Sequence, residues 1–329
     1  MSTTISKLYT LITLLFFTSS CATSQETQTQ SKKKEPHQQS NLLTGFNQNW
    51  RYLPSLDNTT FINNIKELAP QTIRYPGGTV THGWHWRTGT HKDPLPEDFI
   101  HPIEDVKKLV DLTGVKIVFD LDVVYSTLED QLAMLEKANA LGVDVEFIEL
   151  GNELYSRLHG YEKWFPDGNA YADTVNVWVP KIRAAFPKAK IAAVHIGKPG
   201  TNQRQLTWNE QTAKRIKDID AFTYHIYIPE KKDFEFRKKQ FLEVYFNPDN
   251  KPVWITEYGN MANYNSPGYL ENLKKLIDFV ESYPPITMAL NHAMVSAGVN
   301  RSKLTRKENG TKFTDEGKMF IEIAKERSK

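Results

Sequence analysis

Two glutamates stand in settings that let them work as a pair. Glu153 closes the run Glu149-Leu150-Gly151-Asn152-Glu153, and Glu257 follows Trp254-Ile255-Thr256 and precedes Tyr258-Gly259. Each comes at the end of a short apolar stretch of the kind that forms a buried strand. Two carboxylates held at strand ends on one rim can divide a reaction between them. One protonates a departing oxygen while the other attacks the carbon it leaves, an anomeric carbon if the substrate is a glycan. Arg74, at the end of another such stretch, can hold Glu257 ionised, as a nucleophile requires, and Tyr227 can hydrogen-bond to it. Asn152, beside Glu153, can bind a sugar 2-hydroxyl. His225 and Asn291 end two further stretches and join the substrate-binding candidates.

A loop after the Arg74 stretch carries His82-Gly83-Trp84-His85-Trp86-Arg87, with His91 and Lys92 close behind. Flat indole faces stack on sugar rings, so Trp84 and Trp86 are candidate sugar contacts. Arg87, Lys92 and the nearby histidines offer charge-assisted bonds to carboxylates or sulfates, which points to an acidic glycan. A second basic run, Glu230-Lys231-Lys232-Asp233 with Arg237-Lys238-Lys239, reads as a solvated face.

Residues so far apart in sequence need a scaffold that brings strand ends together. Eight β-rich runs recur, over 42–46, 72–75, 116–121, 146–150, 190–195, 221–227, 252–257 and 288–291. Amphipathic stretches lie between them, over 61–68, 103–112, 128–141, 170–186, 208–217 and 269–282, and 315–324 closes the chain. Apolar residues return there at three and four positions, as in Val106, Leu109 and Val110. Alternating strands and helices imply parallel βα units, and eight of them match an α/β fold of the (β/α)8 TIM-barrel type. Its chemistry sits where strands end. No Gly-rich phosphate-binding turn follows the first strand, where Gly45-Phe46-Asn47-Gln48-Asn49-Trp50 stands, so a nucleotide cofactor is not expected, and the expected cofactors are none.

Taken together, the Arg74–Gly78 segment, Gly151-Asn152-Glu153 and the Glu257 strand resemble clan A of the retaining glycoside hydrolases over the whole folded region. Arg74–Gly78, continuing to Trp84 and Trp86, is similar to the family 51 arabinofuranosidases and the family 79 heparanase/β-glucuronidase group. Family 39 xylosidases and iduronidases are more distant. The resemblance implies Glu153 as acid/base, Glu257 as nucleophile and a (β/α)8 fold acting on a polysaccharide or oligosaccharide. Two departures stand out. The residues after the eighth strand leave room only for a last helix, so no accessory β-sandwich is expected. Asn291-His292 also stands where many clan members place a tryptophan.

The 329 residues carry 41 Lys plus Arg against 39 Asp plus Glu, a net charge of +2, too balanced for a protein that binds nucleic acid through its phosphates. One cysteine excludes a disulfide framework and a multi-thiolate zinc site. Lys7, the apolar run 8–17 and Thr18-Ser19-Ser20 before Cys21 form a secretory signal over 1–20, and the placement of the thiol resembles a bacterial lipoprotein signal. Residues 21–40 are polar and low in apolar content, a flexible tether. The catalytic barrel then spans 41–329, anchored through Cys21 to the bacterial outer membrane, at the cell surface or its periplasmic face. Two rivals remain. A metal-dependent barrel hydrolase would use His195 and His225, yet Phe46-Asn47-Gln48 and Asn291 replace the His-x-His and Asp that complete such a metal set. The other is a non-catalytic glycan-binding surface lipoprotein.

Overall fold

The computed structural model describes residues 42–308 and 310–328. The signal-like segment, Cys21 and the tether lie outside the described residues. Eight parallel strands close into a barrel: β1 (Leu43–Asn47), β2 (Thr72–Tyr75), β3 (Lys116–Asp120), β4 (Phe147–Glu149), β5 (Lys190–Val194), β6 (Ala221–Ile228), β7 (Val253–Asn260) and β8 (Ile286–His292). Each lies beside its neighbours in sequence, and β8 pairs with β1 to complete the ring. One helix follows each strand: α1 (Thr59–Leu68), α2 (Ile103–Thr113), α3 (Leu128–Ala140), α4 (Gly168–Ala185), α5 (Gln203–Arg215), α6 (Phe234–Val244), α7 (Tyr269–Ser282) and α8 (Asp315–Arg327). This is the (β/α)8 barrel that the alternation predicts.

The helices begin where the sequence supplies a cap. Asn58, Thr127, Asp167, Asn202, Asp233 and Thr314 each accept a hydrogen bond from a backbone N–H of the first turn they precede. Capping explains two differences from the sequence reading. α5 starts at Gln203, ahead of the first apolar residue of its pattern, because Asn202 caps a polar first turn. The basic run after β6 splits into a loop and the helix α6, which Asp233 caps and which buries Phe234, Arg237 and Phe241.

Alternation along the strands sorts the barrel into layers. Val118, Phe147, Ala192, Ala221, Trp254, Met288 and Leu290 fill its lower interior. The residues between them, such as Ile73, Phe119, Ile148 and Ile255, face outward into the shell packed by the helices. One step further up, the interior turns polar with Asn47, Arg74, Asp120, Glu149, Thr256 and His225, all buried.

β7 breaks the alternation. Thr223 and His225 on β6 pair with Trp254 and Glu257, and Ala289 and Asn291 on β8 pair with Ile255 and Tyr258. Two steps on either neighbour thus correspond to three on β7, a β-bulge. The extra residue lets the consecutive Thr256 and Glu257 both reach the interior, where Thr256 meets Glu149 and Glu257 meets Arg74.

Two small antiparallel ribbons decorate the barrel, Trp84–His85 with Thr90–His91 and Leu304–Lys307 with Gly310–Phe313. Among the described residues no β-sandwich accompanies it.

Candidate active site

Arg74 is the centre of the upper interior and is fully buried. Its Nη2 lies 2.7 Å from Asp120 Oδ2, its Nε 2.7 Å from Glu149 Oε2 and its Nη1 3.0 Å from Glu257 Oε1. The same guanidinium donates to Asn152 Oδ1 at 3.1 Å and to Asn47 Oδ1 at 3.3 Å. β1, β2, β3, β4 and β7 are thereby tied to one cation. Burial works against its charge, and the three carboxylates more than offset that, so its pKa rises. Asp120 moves the other way. Burial first, and then the neighbouring Glu149, push its pKa well above the usual carboxylate range in spite of Arg74.

Glu257 sits above this cluster at the floor of a cleft of about 920 Å³. Its Oε2 accepts a 2.7 Å hydrogen bond from Tyr227, and its Oε1 faces Arg74. A side chain at residue 78 would put a Cβ 3.1 Å from Oε1, and Gly78 has φ 67°, which only glycine adopts freely. Burial opposes ionisation of Glu257, but the charges of His225 first and then Arg74 outweigh it and hold its pKa down.

Glu153 is reached differently. β4 ends at Glu149, and Glu153 stands four residues on, in a turn where its own φ is 43°. A non-glycine residue in the left-handed region costs about 1–2 kcal/mol, so the surroundings must impose it. They do so from both sides. His82 Nε2 lies 3.1 Å from both the backbone N and O of Asn152, with Asp122 3.1 Å from the other ring nitrogen. Arg204 donates to the carbonyls of Leu154, Tyr155 and Phe165. The Glu153 carboxylate accepts hydrogen bonds at Oε1 from Tyr155 Oη and His225 Nδ1, both 3.1 Å away.

His225 joins the two glutamates. Its Nδ1 is 3.1 Å from Glu153 Oε1 and 3.7 Å from Glu257 Oε2. Burial opposes its charge, yet Glu257 and Glu153 raise its pKa above the usual histidine range. In turn, His225 overcomes the burial of Glu153, whose pKa falls to about 2. The free site therefore holds an imidazolium between two carboxylates.

Of the residues singled out from the sequence, Glu153, Glu257, Asn152, His225 and Tyr227 line the cleft, and Arg74 lies directly beneath it. Four expectations need correction. Trp84 and Trp86 are core residues, not cleft walls. Trp84 donates to Tyr75 Oη at 2.9 Å, Trp86 donates to Asp130 at 3.2 Å, and each is 6% exposed. Arg87 stacks on Trp86 and pairs with Asp130 at 2.5 Å, away from the cleft lining. Asn291 is fully buried and one residue out of phase, since Leu290 and His292 take the inward positions of β8.

The residue that does enter the site from β8 is His292, whose Nδ1 lies 2.9 Å from Asn47 Nδ2. Burial takes its pKa down to about 4, leaving it neutral. Asp120 and Glu149 were also missed, although a charged residue closing an apolar run, as in Lys116-Ile117-Val118-Phe119-Asp120, was a usable signal. His195 takes no part. It stacks on Phe222, bonds Tyr224 Oη at 2.8 Å and is held neutral by burial, its pKa down to about 3. Among the described residues no group of three or more His, Cys, Asp or Glu side chains is arranged to hold a metal ion.

Several solved structures share this architecture. An α-L-arabinofuranosidase from Thermotoga maritima is 15% identical with a TM-score of 0.61, covering 85% of this chain and 69% of its own. A family 51 α-L-arabinofuranosidase from Bifidobacterium longum is 15% identical with a TM-score of 0.62, over 87% and 72%. A curdlan-specific exo-β-1,3-glucanase from Blastomyces gilchristii is 13% identical with a TM-score of 0.52, over 85% and 97%. At these identities the likeness establishes the fold. No curated protein matches the chain. The sequence profile of glycosyl hydrolase family 53 matches residues 120–313, from the end of β3 through the second ribbon and across both candidate carboxylates. The clan-level resemblance thus holds with a different family from those nearest by motif, and the chain is a glycosidase belonging to glycosyl hydrolase family 53.

Proposed function

We propose that the protein hydrolyses a polysaccharide or oligosaccharide by double displacement, with Glu257 as nucleophile and Glu153 as acid/base. The observation that carries this reading is the single His225 nitrogen in reach of both carboxylates, at 3.1 and 3.7 Å. Such proximity favours the separation of about 5–5.5 Å used by retaining glycosidases over the about 6.5–9.5 Å of inverting ones. Arg74 and Tyr227 keep Glu257 ionised and oriented for attack on the anomeric carbon. As the glycan enters and water leaves, the imidazolium–carboxylate pair favours its neutral form, and the proton passes from His225 to Glu153. Glu153 then protonates the glycosidic oxygen while Glu257 bonds to carbon. In the second step Glu153 takes a proton from water, whose oxygen displaces Glu257 and restores the original anomer.

The substrate is an acidic glycan in this reading. Arg87 no longer supports that preference, but Lys198, Arg237 and Arg301 line the cleft itself. The mature protein begins at an acylated Cys21 and is held at a membrane, in keeping with the signal that precedes it.

Variants of the two glutamates test the mechanism. Glu257→Ala should abolish turnover of every substrate. Glu153→Ala should keep part of its glycosylation rate on a substrate with a good leaving group, and azide should restore turnover as a β-configured azide product if the substrate is β-linked. Azide rescue of the Glu257 variant alone would exchange the two roles, and an inverted first product by proton NMR would remove the double displacement.

A further inference from the structure

Arg237 differs from the other buried arginines, Arg51 and Arg74, each of which pairs with a carboxylate. It is only 4% exposed and lines the cleft, yet its guanidinium meets no carboxylate. Nη2 donates to the Gly197 carbonyl at 2.8 Å and Nη1 to Gln240 Oε1 at 3.2 Å, both uncharged acceptors. Its Nε is buried without a hydrogen-bond partner among the described residues. Arginine is rarely so buried unless it is paired, because an uncompensated charge in a low-dielectric setting is costly. Burial accordingly lowers its pKa to about 10.

Lys198, exposed on the loop after β5, lines the same part of the cleft and forms none of the ion pairs found among the described residues. Both cations are close enough to Glu153 to act on its charge. Two fixed positive charges therefore flank the group that meets the leaving oxygen, and their missing counter-ion is something the cleft receives. We propose that Lys198 and Arg237, with Gln240 orienting the guanidinium, form an anion subsite for a carboxylate or sulfate group on the sugar unit at the leaving-group side of the scissile bond. The subsite rests on the assignment of Glu153 as acid/base. Carboxylate and sulfate present the same chemistry to it, oxygen atoms of an anion that accept charge-assisted hydrogen bonds.

Binding of small probes to the intact protein tests this directly. The probes are methyl glycosides of glucuronic and galacturonic acid, the 6-sulfates of methyl glucoside and methyl galactoside, and the neutral parents, titrated by calorimetry or saturation-transfer NMR. At least one anionic probe should bind roughly tenfold or more tightly than its neutral parent, the size of one charge-assisted bond. The uronate and sulfate arms decide which anion the subsite takes. That preference ratio should fall towards one in Lys198→Gln and in Arg237→Gln, persist in Lys198→Arg, and shrink at high salt. Thermal melting reports whether Arg237→Gln is folded, and if it is not, the exposed Lys198 decides alone.

Equal binding of anionic and neutral probes overturns the proposal, as does failure of every anionic probe to bind or a ratio that neither variant moves. In the last case Arg237 serves only to prop Gly197. A parallel reaction with a panel of aryl 2-deoxy-2-fluoroglycosides separates this from the parent reading. A covalent adduct on Glu257 without anion preference sinks the subsite and leaves the glycosidase mechanism standing. No adduct, together with no product from any acidic or neutral polysaccharide, removes the mechanism on which the subsite rests.

Discussion

Arg74 carries a heavier load than either of the carboxylates it supports. Three acidic side chains on three different strands share it as their ion-pair partner. Replacing it by Met would leave Asp120, Glu149 and Glu257 buried together without their shared ion-pair partner, with only His225, beside Glu257, to balance them. The expected loss is at least about 3 kcal/mol of stability at neutral pH, the scale of breaking a buried ion pair. The sign of its pH dependence follows. Without the cation, the folded-state pKa values of Asp120 and Glu257 rise above their unfolded values, so the penalty is full above those raised values and is lost as pH falls through them to the ordinary carboxylate range. Urea titrations of wild type and variant at neutral pH and within the ordinary carboxylate range measure the gap, which should narrow on acidification. A second residue-scale expectation concerns the kcat/KM profile. Glu257 must be ionised, and its lowered pKa sets an acidic limb below the ordinary glutamate range. The His225–Glu153 pair must hold one proton, which leaves with the raised pKa of His225, so the basic limb lies above the ordinary histidine range. A basic limb at or below that range would show that His225 does not hold the proton. At this scale the sequence was informative wherever a charged or amide residue closed an apolar run, as with Arg74, Asn152 and Glu257. It misled where a one-residue phase decided the outcome, as with Asn291 against His292. It was silent where partners came from distant segments, as with Trp86, Arg87 and Asp130, or with Arg237 inside a basic run.

The strands and helices were readable from periodicity because β1 to β8 are apolar runs between polar stretches, and most helices carry a clear apolar stripe. α6 was obscured by its own composition, since Phe234 and Phe241 are separated by charged residues and its third buried position is an arginine. The bulge in β7 had no sequence mark at all, because Trp254-Ile255-Thr256-Glu257 reads as a regular strand and the extra residue is defined only against its neighbours. A different element holds the β8 side of the cleft in place. Lys303, fully buried after the loop that carries Arg301, bonds Glu316 at 2.6 Å on α8 and the His292 carbonyl at 3.2 Å, while Tyr269 on α7 donates to Glu316 at 2.8 Å. Glu316→Leu strands the Lys303 ammonium and should cost about 3–5 kcal/mol. The double change Lys303→Met with Glu316→Leu removes both charges and should recover much of that loss, as a double-mutant cycle in urea would measure. Near-additive losses would mean the two side chains do not act as a pair.

For the whole molecule, eight βα units in one chain left few arrangements open, and the closed barrel followed from counting them. The N-terminal segment adds a prediction at the same scale. With Cys21 the chain's one thiol and the short apolar run too brief to span a bilayer, the mature protein should start at an acylated cysteine and enter the detergent phase on Triton X-114 partitioning, while Cys21→Ser stays in the aqueous phase. Mass spectrometry of the first tryptic peptide checks it, and an unmodified Cys21 in the mature protein would end the claim. Closure itself has a consequence in time. Asn47 on the first strand meets His292 on the last, 245 positions along the chain, and Arg74 meets Glu257 across 183. A ribosome releases the chain from its N-terminus, so Arg74 waits while Glu153, then Glu257 and finally β8 emerge. A prefix that stops short of β8 lacks His292 and the Ser296–Arg301 wall of the cleft. The parts of the cleft thus come together late in synthesis, when the last barrel strand has left the ribosome.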